Sequence, residues 1–317
     1  MTEKAKAQNK RNSSRFWIIL AIVVVVLLLL FSCVATIIGI ALLASGRDIP
    51  GIGGDAVAVI RLEGVISSAY DSGGLLADYG SVDPESFTED LEEAVEDDDV
   101  RAIVLRVNSP GGSPAASQEI YEEVVKAAKK KPIVASVADV AASGAYYVIS
   151  PVQEIWAPKA ADIGSIGVFI EVLNLQELYK KLGIKVTIIK EGKFKTMGDP
   201  SKPLTKEERA ILQNYAKVIY DQFIDDVAKA RKKLDLAEVK KLATGRTWPA
   251  SQAKGLDLID NIGNYQDAID RAAKLGKIKG EPEIITYKDY DWLDAIDTGL
   301  KSLKNIGKVP VPTKSLR

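Results

Sequence analysis

The sequence of 317 residues has no histidine, one cysteine and two methionines. Without imidazole there is no Ser-His-Asp or Cys-His catalytic group, no His-ligated zinc, no haem on a proximal histidine and no histidine pH switch. Cys33 alone forms neither an intrachain disulfide nor a cysteine-cluster metal site. A catalytic acid, base or nucleophile would have to come from Ser, Thr, Tyr, Lys, Asp and Glu. Excess charge of one sign is lacking too. The 42 basic and 43 acidic side chains leave a formal net charge of −1, which gives no global attraction for nucleic acid. What is present is apolar matter, 47% of residues, enough for one large domain or two ordinary ones.

That apolar content is unevenly placed. Phe16 to Ala44 contains no charged residue and includes an almost unbroken Val/Leu block from Ile22 to Phe31. As a helix it would measure roughly 44 Å at about 1.5 Å per residue, more than a bilayer core requires. Before it lie Lys4, Lys6, Lys10, Arg11 and Arg15 against Glu3 alone. The positive-inside rule then puts residues 1–15 in the cytoplasm as a basic tail and everything after Ser45 on the far side. The run is too long for the apolar part of a cleaved signal peptide. A lipoprotein signal at Leu30-Phe31-Ser32-Cys33, with Cys33 lipidated, is disfavoured because the run continues for eleven residues past the cysteine. The reading is an uncleaved transmembrane signal anchor over residues 16–44 that holds the protein in the lipid bilayer. A polar, glycine-rich linker follows at 45–55, and the globular body lies outside the cytoplasm.

Beyond the linker, short β-branched runs alternate with helical stretches, the signature of an α/β domain. Strand candidates are residues 56–62, 102–107, 133–137, 154–157, 165–170, 185–189 and 283–287. Several are near-continuous apolar runs, as expected for strands covered on both faces. Helices are expected over 84–96, 117–130 and 205–232, the last opening with a Thr-Lys-Glu-Glu capping box. The carboxylates at 90–99 lack the glycine and ligand spacing of an EF-hand loop and read as a solvated helix end. Residues 281–317 form a C-terminal extension with no readable motif.

Two small-residue turns have chemical potential. Asn108-Ser109-Pro110-Gly111-Gly112 lies between a strand and a helix, where a Gly-Gly pair lets the backbone approach a ligand and turns free N–H groups toward an anion. Ala141-Ala142-Ser143-Gly144-Ala145-Tyr146-Tyr147 puts a serine among small residues after another strand, with the Gly144 N–H available to an oxyanion. Taken alone, the first reads more readily as an ordinary turn and the second as close helix packing through Ala and Gly. A serine nucleophile here needs a base other than histidine, and a lysine serves when desolvation leaves part of it neutral. The tract from Lys190 to Pro200 mixes lysines with Phe194 and Met197, but spacing does not choose among Lys190, Lys193 and Lys195.

These pieces occur together and in order, and so the sequence resembles the bacterial signal peptide peptidase A family in its short, single-repeat form. The likeness runs from about Ala56 to Ala273. It is carried by Arg106-Val107-Asn108-Ser109-Pro110-Gly111-Gly112, by the segment around Ser143, by Gly164-Ser165-Ile166-Gly167-Val168, by the lysine tract, and by Gly245-Arg246-Thr247-Trp248 with Gln252-Ala253, Gly255-Leu256 and Asp260. The resemblance implies a Ser-Lys peptidase domain over residues 56–280 with the Clp protease/crotonase-like fold of stacked ββα units. It implies Ser143 as nucleophile, Lys195 as general base, Ser165 as the serine that orients the lysine amine, and the Gly112 and Gly144 N–H groups as oxyanion hole. Ala145 departs from the second glycine common at that place. Ring or dome-like homo-oligomers are implied as well, with a dyad that can be completed across a subunit boundary. No metal and no cofactor are expected.

The expected reaction is hydrolysis of apolar peptides, such as signal-peptide remnants, through an acyl-enzyme. Three rivals differ in class. Another Ser-Lys membrane protease of the same fold would cut a membrane protein such as a stomatin homologue. A crotonase-type enzyme would act on acyl-CoA thioesters, which are scarce outside the cytoplasm. A non-enzymatic oligomeric scaffold would have no use for the serine and lysine.

Overall fold

The computed structural model describes residues 55–68 and 80–287, together with Leu28, Phe31 and Ser32, which are helical. The basic tail, nearly all of the proposed anchor and linker, Cys33 and the extension beyond residue 287 lie outside the described residues. Among the described residues no helix is long and apolar enough to cross a membrane.

The body is a mixed α/β domain on a nine-stranded sheet. Its centre is β1 (Ala56–Ile66), β3 (Val100–Gly112) and β4 (Ile133–Ala142), with β5 (Glu154–Ala157) and β8 (Asn261–Ile262) continuing one edge. Two short strands, β2 (Ser81–Val82) and β9 (Glu283–Thr286), pair in parallel with β1. Every pairing is parallel except that of β6 (Asp162–Gly164) with β7 (Thr247–Pro249). Alternate residues of β1 enter different cores, as the two-residue period of a strand demands. Ala58, Ile60 and Leu62 face one, and Val57 and Val59 face the other. The larger core takes side chains from helices α1 (Pro84–Glu96) and α2 (Pro114–Ala127). The smaller is closed by α8 (Tyr265–Leu275) through Ala268, Ile269, Ala272 and Ala273. Two covered faces explain the near-continuous apolar strands.

Capping sets the helix starts. Asp83 caps α1 and Ser113 caps α2, each followed by proline at the first turn. Thr205 and Glu208 form the expected capping box of α5 (Lys206–Ala230). Four shorter helices complete the set of labels: α3 (Gly144–Ile149), α4 (Gln176–Lys181), α6 (Leu236–Leu242) and α7 (Ala250–Ala253).

Three sequence expectations change. The Asn108–Gly112 segment is not a free turn but the end of β3, which stays paired with β1 through Val65↔Gly111 and Ile66↔Gly112 after a register shift. Gly111 absorbs that shift with a φ of 91°. Residues 165–170 and 185–189 are not strands, although their composition is strand-like. Both lie in irregular chain with Phe169, Ile184, Val186, Ile188 and Ile189 exposed. A strand needs a partner for its ladder; of the first segment only Ser165 and Ile166 bond to a neighbour, Arg246 and Gly245, and the second has no ladder among the described residues.

Candidate active site

Ser143 sits where β4 gives way to α3. Its φ of 52° and ψ of −124° are rare for a residue with a side chain, a strain worth about 1–3 kcal/mol. The surroundings hold it there. Its N–H donates 2.8 Å to the Gly164 carbonyl, and its own carbonyl accepts from Tyr147 N–H at 3.0 Å. The following residues, Gly144 to Ile149, are all buried. The hydroxyl makes no capping bond. This leaves a serine oxygen free of structural duty at the mouth of a cavity.

The two glycine segments converge on it. A Cβ on Gly111 would lie 2.5 Å from the Gly144 nitrogen and 2.9 Å from Ser143 Cβ, and one on Gly144 would lie 3.3 Å from the Gly112 nitrogen. Only glycine permits backbones to approach so closely. The backbones at Gly111, Gly112 and Gly144 therefore pack closely together next to the serine. The Gly144 N–H is also among the first of α3, which lack partners within the helix.

The cavity beside Ser143 has a volume of about 220 Å³, and Gly112, Ser143 and Gly144 all line it. Its walls come from α2, from Gly167 and Val168, and from Tyr215, Ile219, Gln222 and Phe223 of α5. Tyr147 forms a further wall, stacked on Tyr121 at 4.5 Å between ring centres and tilted against Phe223 at 4.9 Å. Its hydroxyl donates to Asp226 Oδ2 at 2.6 Å. Burial, with the hydrogen bond to Asp226 next, pushes the phenol well above its ordinary range, so it stays protonated and keeps donating. Burial likewise pushes Tyr121 up to about 12, helped by the charge of Asp226. The cavity is thus apolar and aromatic, with the amides of Gln118 and Gln222 at its edge.

Ser165 has a φ of 50° and donates from its hydroxyl to the Gly245 carbonyl at 3.2 Å. It follows Gly164, the residue that holds Ser143. Lys195 is elsewhere. It lies exposed on a turn at 191–200 and does not line the cavity. The lysines that spacing left equal are now distinguishable. Lys190 Nζ donates to the Lys193 carbonyl and to Thr196 Oγ1. Lys193 pairs with Glu207 at 2.5 Å and lies over the Phe194 ring. Lys195 Nζ has no hydrogen bond or ion pair among the described residues.

Known proteins resemble this chain over most of its length. The family described as "Peptidase family S49" matches residues 125–279. "Putative protease MJ0651" of Methanocaldococcus jannaschii is 36% identical over 277 residues, 86% of each chain. The chain belongs to this family of serine peptidases, the signal peptide peptidase A family. "Putative signal peptide peptidase SppA" of Enterococcus faecium is 34% identical over 240 residues, 75% of this chain and 69% of the relative. "Protease 4" of Salmonella typhi is 33% identical over 231 residues, 73% of this chain but 36% of its own.

Several lining residues escaped sequence reasoning. Tyr147 was within sight, two positions past a recognised Ser-Gly pair. Tyr215, Ile219, Gln222 and Phe223 were not, because at helical spacing they read simply as the apolar face of α5.

Proposed function

We propose that this peptidase works with Ser143 as nucleophile and with Lys195 of a neighbouring copy as general base. The observation that carries the reading is the Ser143 hydroxyl, without a hydrogen bond among the described residues, on a cavity that Gly112 and Gly144 also line, while Lys195 has no partner among those residues and does not line the same chain's cavity. The exposed Phe169, Ile184, Val186, Ile188 and Ile189 flank the lysine tract and supply an apolar surface that a second copy would cover. The homo-oligomer thereby becomes part of the catalytic apparatus. The fold is read as that of the Clp protease and crotonases, which suits the stacked parallel sheet.

In the reaction, the neutral amine of Lys195 accepts the Ser143 proton as the serine oxygen attacks the scissile carbonyl carbon. The Gly112 and Gly144 N–H groups hold the resulting oxyanion. The intermediate collapses by breaking the C–N bond, and the ammonium of Lys195 gives its proton to the departing amine. Water then attacks the acyl-serine with the same amine as base, which releases the acid and restores Ser143. Ser165 orients the lysine amine. Activity should rise toward alkaline pH as the base loses its proton, and a flat profile would count against a lysine base.

The substrate is read as an apolar peptide, such as a signal-peptide remnant, which fits the aromatic cavity. The charge-free run at 16–44 supports an anchored protein with its catalytic body outside the cytoplasm. Ser143→Ala and Lys195→Ala should each lose on the order of 10³-fold or more in activity, and a fluorophosphonate should label Ser143. Co-expression of the two inactive variants tests the shared dyad. Mixed assemblies should recover about a quarter of the native activity, because about one interface in four pairs an intact serine with an intact lysine. No recovery from verified mixed assemblies would place the dyad within one chain.

A further inference from the structure

The hydrogen bonds of Ser165 all run to the segment 244–248. The Ser165 N–H donates to the Arg246 carbonyl at 2.9 Å and its hydroxyl to the Gly245 carbonyl at 3.2 Å. In return the Gly245 N–H donates to the Ile166 carbonyl at 3.0 Å. The same segment lies against Gly167, where a Cβ would come within 3.1 Å of Gly245 Cα. Gly164 and Ser165 are therefore gripped between Ser143, bonded to the Gly164 carbonyl, and this strap.

The strap is anchored by two features. Its far end pairs antiparallel with β6 through Gly164↔Thr247, Ile163↔Trp248 and Asp162↔Pro249. The Arg246 guanidinium carbon lies 3.7 Å from the centre of the Trp248 ring, which is half-buried against the main core. That stack ties the two residues on either side of Thr247 and restrains the carbonyls of Gly245 and Arg246, which face Ser165.

We propose that Arg246, through its stack on Trp248, is a positioning residue that sets the hydrogen-bond polarity of Ser165. The proposal rests on the reading of Ser165 as the residue that orients the lysine amine. A hydroxyl whose proton is committed to the Gly245 carbonyl offers only lone pairs to an approaching amine. It accepts an N–H of the lysine and leaves the nitrogen lone pair free for the Ser143 proton. A hydroxyl released from Gly245 can instead donate to that lone pair and compete with the nucleophile for it. Arg246 touches neither substrate nor reacting atoms and acts only through Ser165.

The test is a double-mutant cycle on the full-length enzyme with a peptide substrate. Arg246→Ala should lower kcat by about tenfold, leave KM nearly unchanged and leave the thermal midpoint close to native. Arg246→Lys, which keeps a cation over the indole, should restore most of kcat. Gly245→Ala, with open space for a methyl but a φ of 80° to satisfy, should reproduce the kcat loss without altering the stack. In a Ser165→Ala background, Arg246→Ala should cost less than about twofold more, because both changes remove one function. A native kcat in Arg246→Ala, a loss that falls on KM, or an undiminished loss in the Ser165→Ala background would each overturn the proposal. Failure of the underlying reading is separable, since Ser165→Ala would then itself be fully active. Failure of the strap alone leaves Ser165→Ala impaired and Arg246→Ala native.

Discussion

The two halves of the proposed dyad sit in opposite kinds of structure. Ser143 stands at the end of a central strand, with buried residues on both sides and its backbone bonded to Gly164 and Tyr147. Lys195 stands in a segment running from about residue 165 to 204 that has one short helix, α4, with no buried residue. Many of its apolar side chains beyond the buried Ile166 face outward, Phe169 at 86% and Ile189 at 97% exposure. The first region is complete within one chain. The second has a strand-like sequence mostly without a ladder among the described residues, and it holds the lysine proposed as the base. On the proposed reading, folding alone would preorganise the nucleophile and oxyanion groups, whereas association would have to deliver the base.

Several experiments would break or sharpen that contrast. The largest effect should come from Ile188→Asp on the outward-facing segment. We expect loss of assembly and of peptidase activity together, with the far-UV spectrum intact, as seen by light scattering and turnover. A fully active monomer would remove the need for a second copy. Next comes a matched pair of truncations. Ile60→Ala, in the fully buried core, should destabilise by about 2–5 kcal/mol, whereas Ile189→Ala should stay within about 0.5 kcal/mol in denaturant unfolding of the dissociated chain. Equal costs would erase the distinction between the two regions.

A smaller effect is expected at the cavity wall. Tyr147→Phe removes the hydrogen bond to Asp226, which still has Lys229 at 2.9 Å. Stability should fall by about 1–2 kcal/mol, and the preference for the residue before the scissile bond should change, as read by peptide profiling.

The smallest effect concerns the entrance to α5. Glu208 accepts from Lys202 and from the Thr205 N–H, which together hold its carboxyl at about 2, below the ordinary 4.5. A lowered native value means that this contribution is complete above about pH 4.5 and fades as pH falls toward 2. Glu208→Gln should therefore lower the thermal midpoint at neutral pH, and the gap to native should close across that acid range.

Legibility followed physical locality. The helices at 84–96 and 205–232 were readable because caps and apolar period are local signals, and the capping box of α5 formed as written. The strand at 154–157 was readable because its run is short, apolar and bounded. The strands expected at 165–170 and 185–189 failed for a reason outside their composition, since pairing depends on what lies alongside. At the site, the glycines at 111, 112 and 144 read as places where backbone could approach a ligand; the structure shows them approaching one another, with Gly144 also against Ser117. The strap at 244–248 could not be placed against Ser165 from sequence, because eighty positions separate residues that share a hydrogen bond.

By itself the sequence determined which chemistry was open. A chain without histidine excludes the Ser-His-Asp and Cys-His groups, and the family resemblance carried by ordered motifs implied Ser143 with a lysine base. It also determined the α/β alternation, because periodicity is a property of neighbours along the chain. Only the tertiary structure decided that the glycine segments at 111–112 and 144 pack together beside Ser143, that an aromatic cavity opens there, and that Lys190 and Lys193 are occupied while Lys195 has no partner among the described residues. Those facts depend on distances between segments far apart in the chain, which local propensity does not encode.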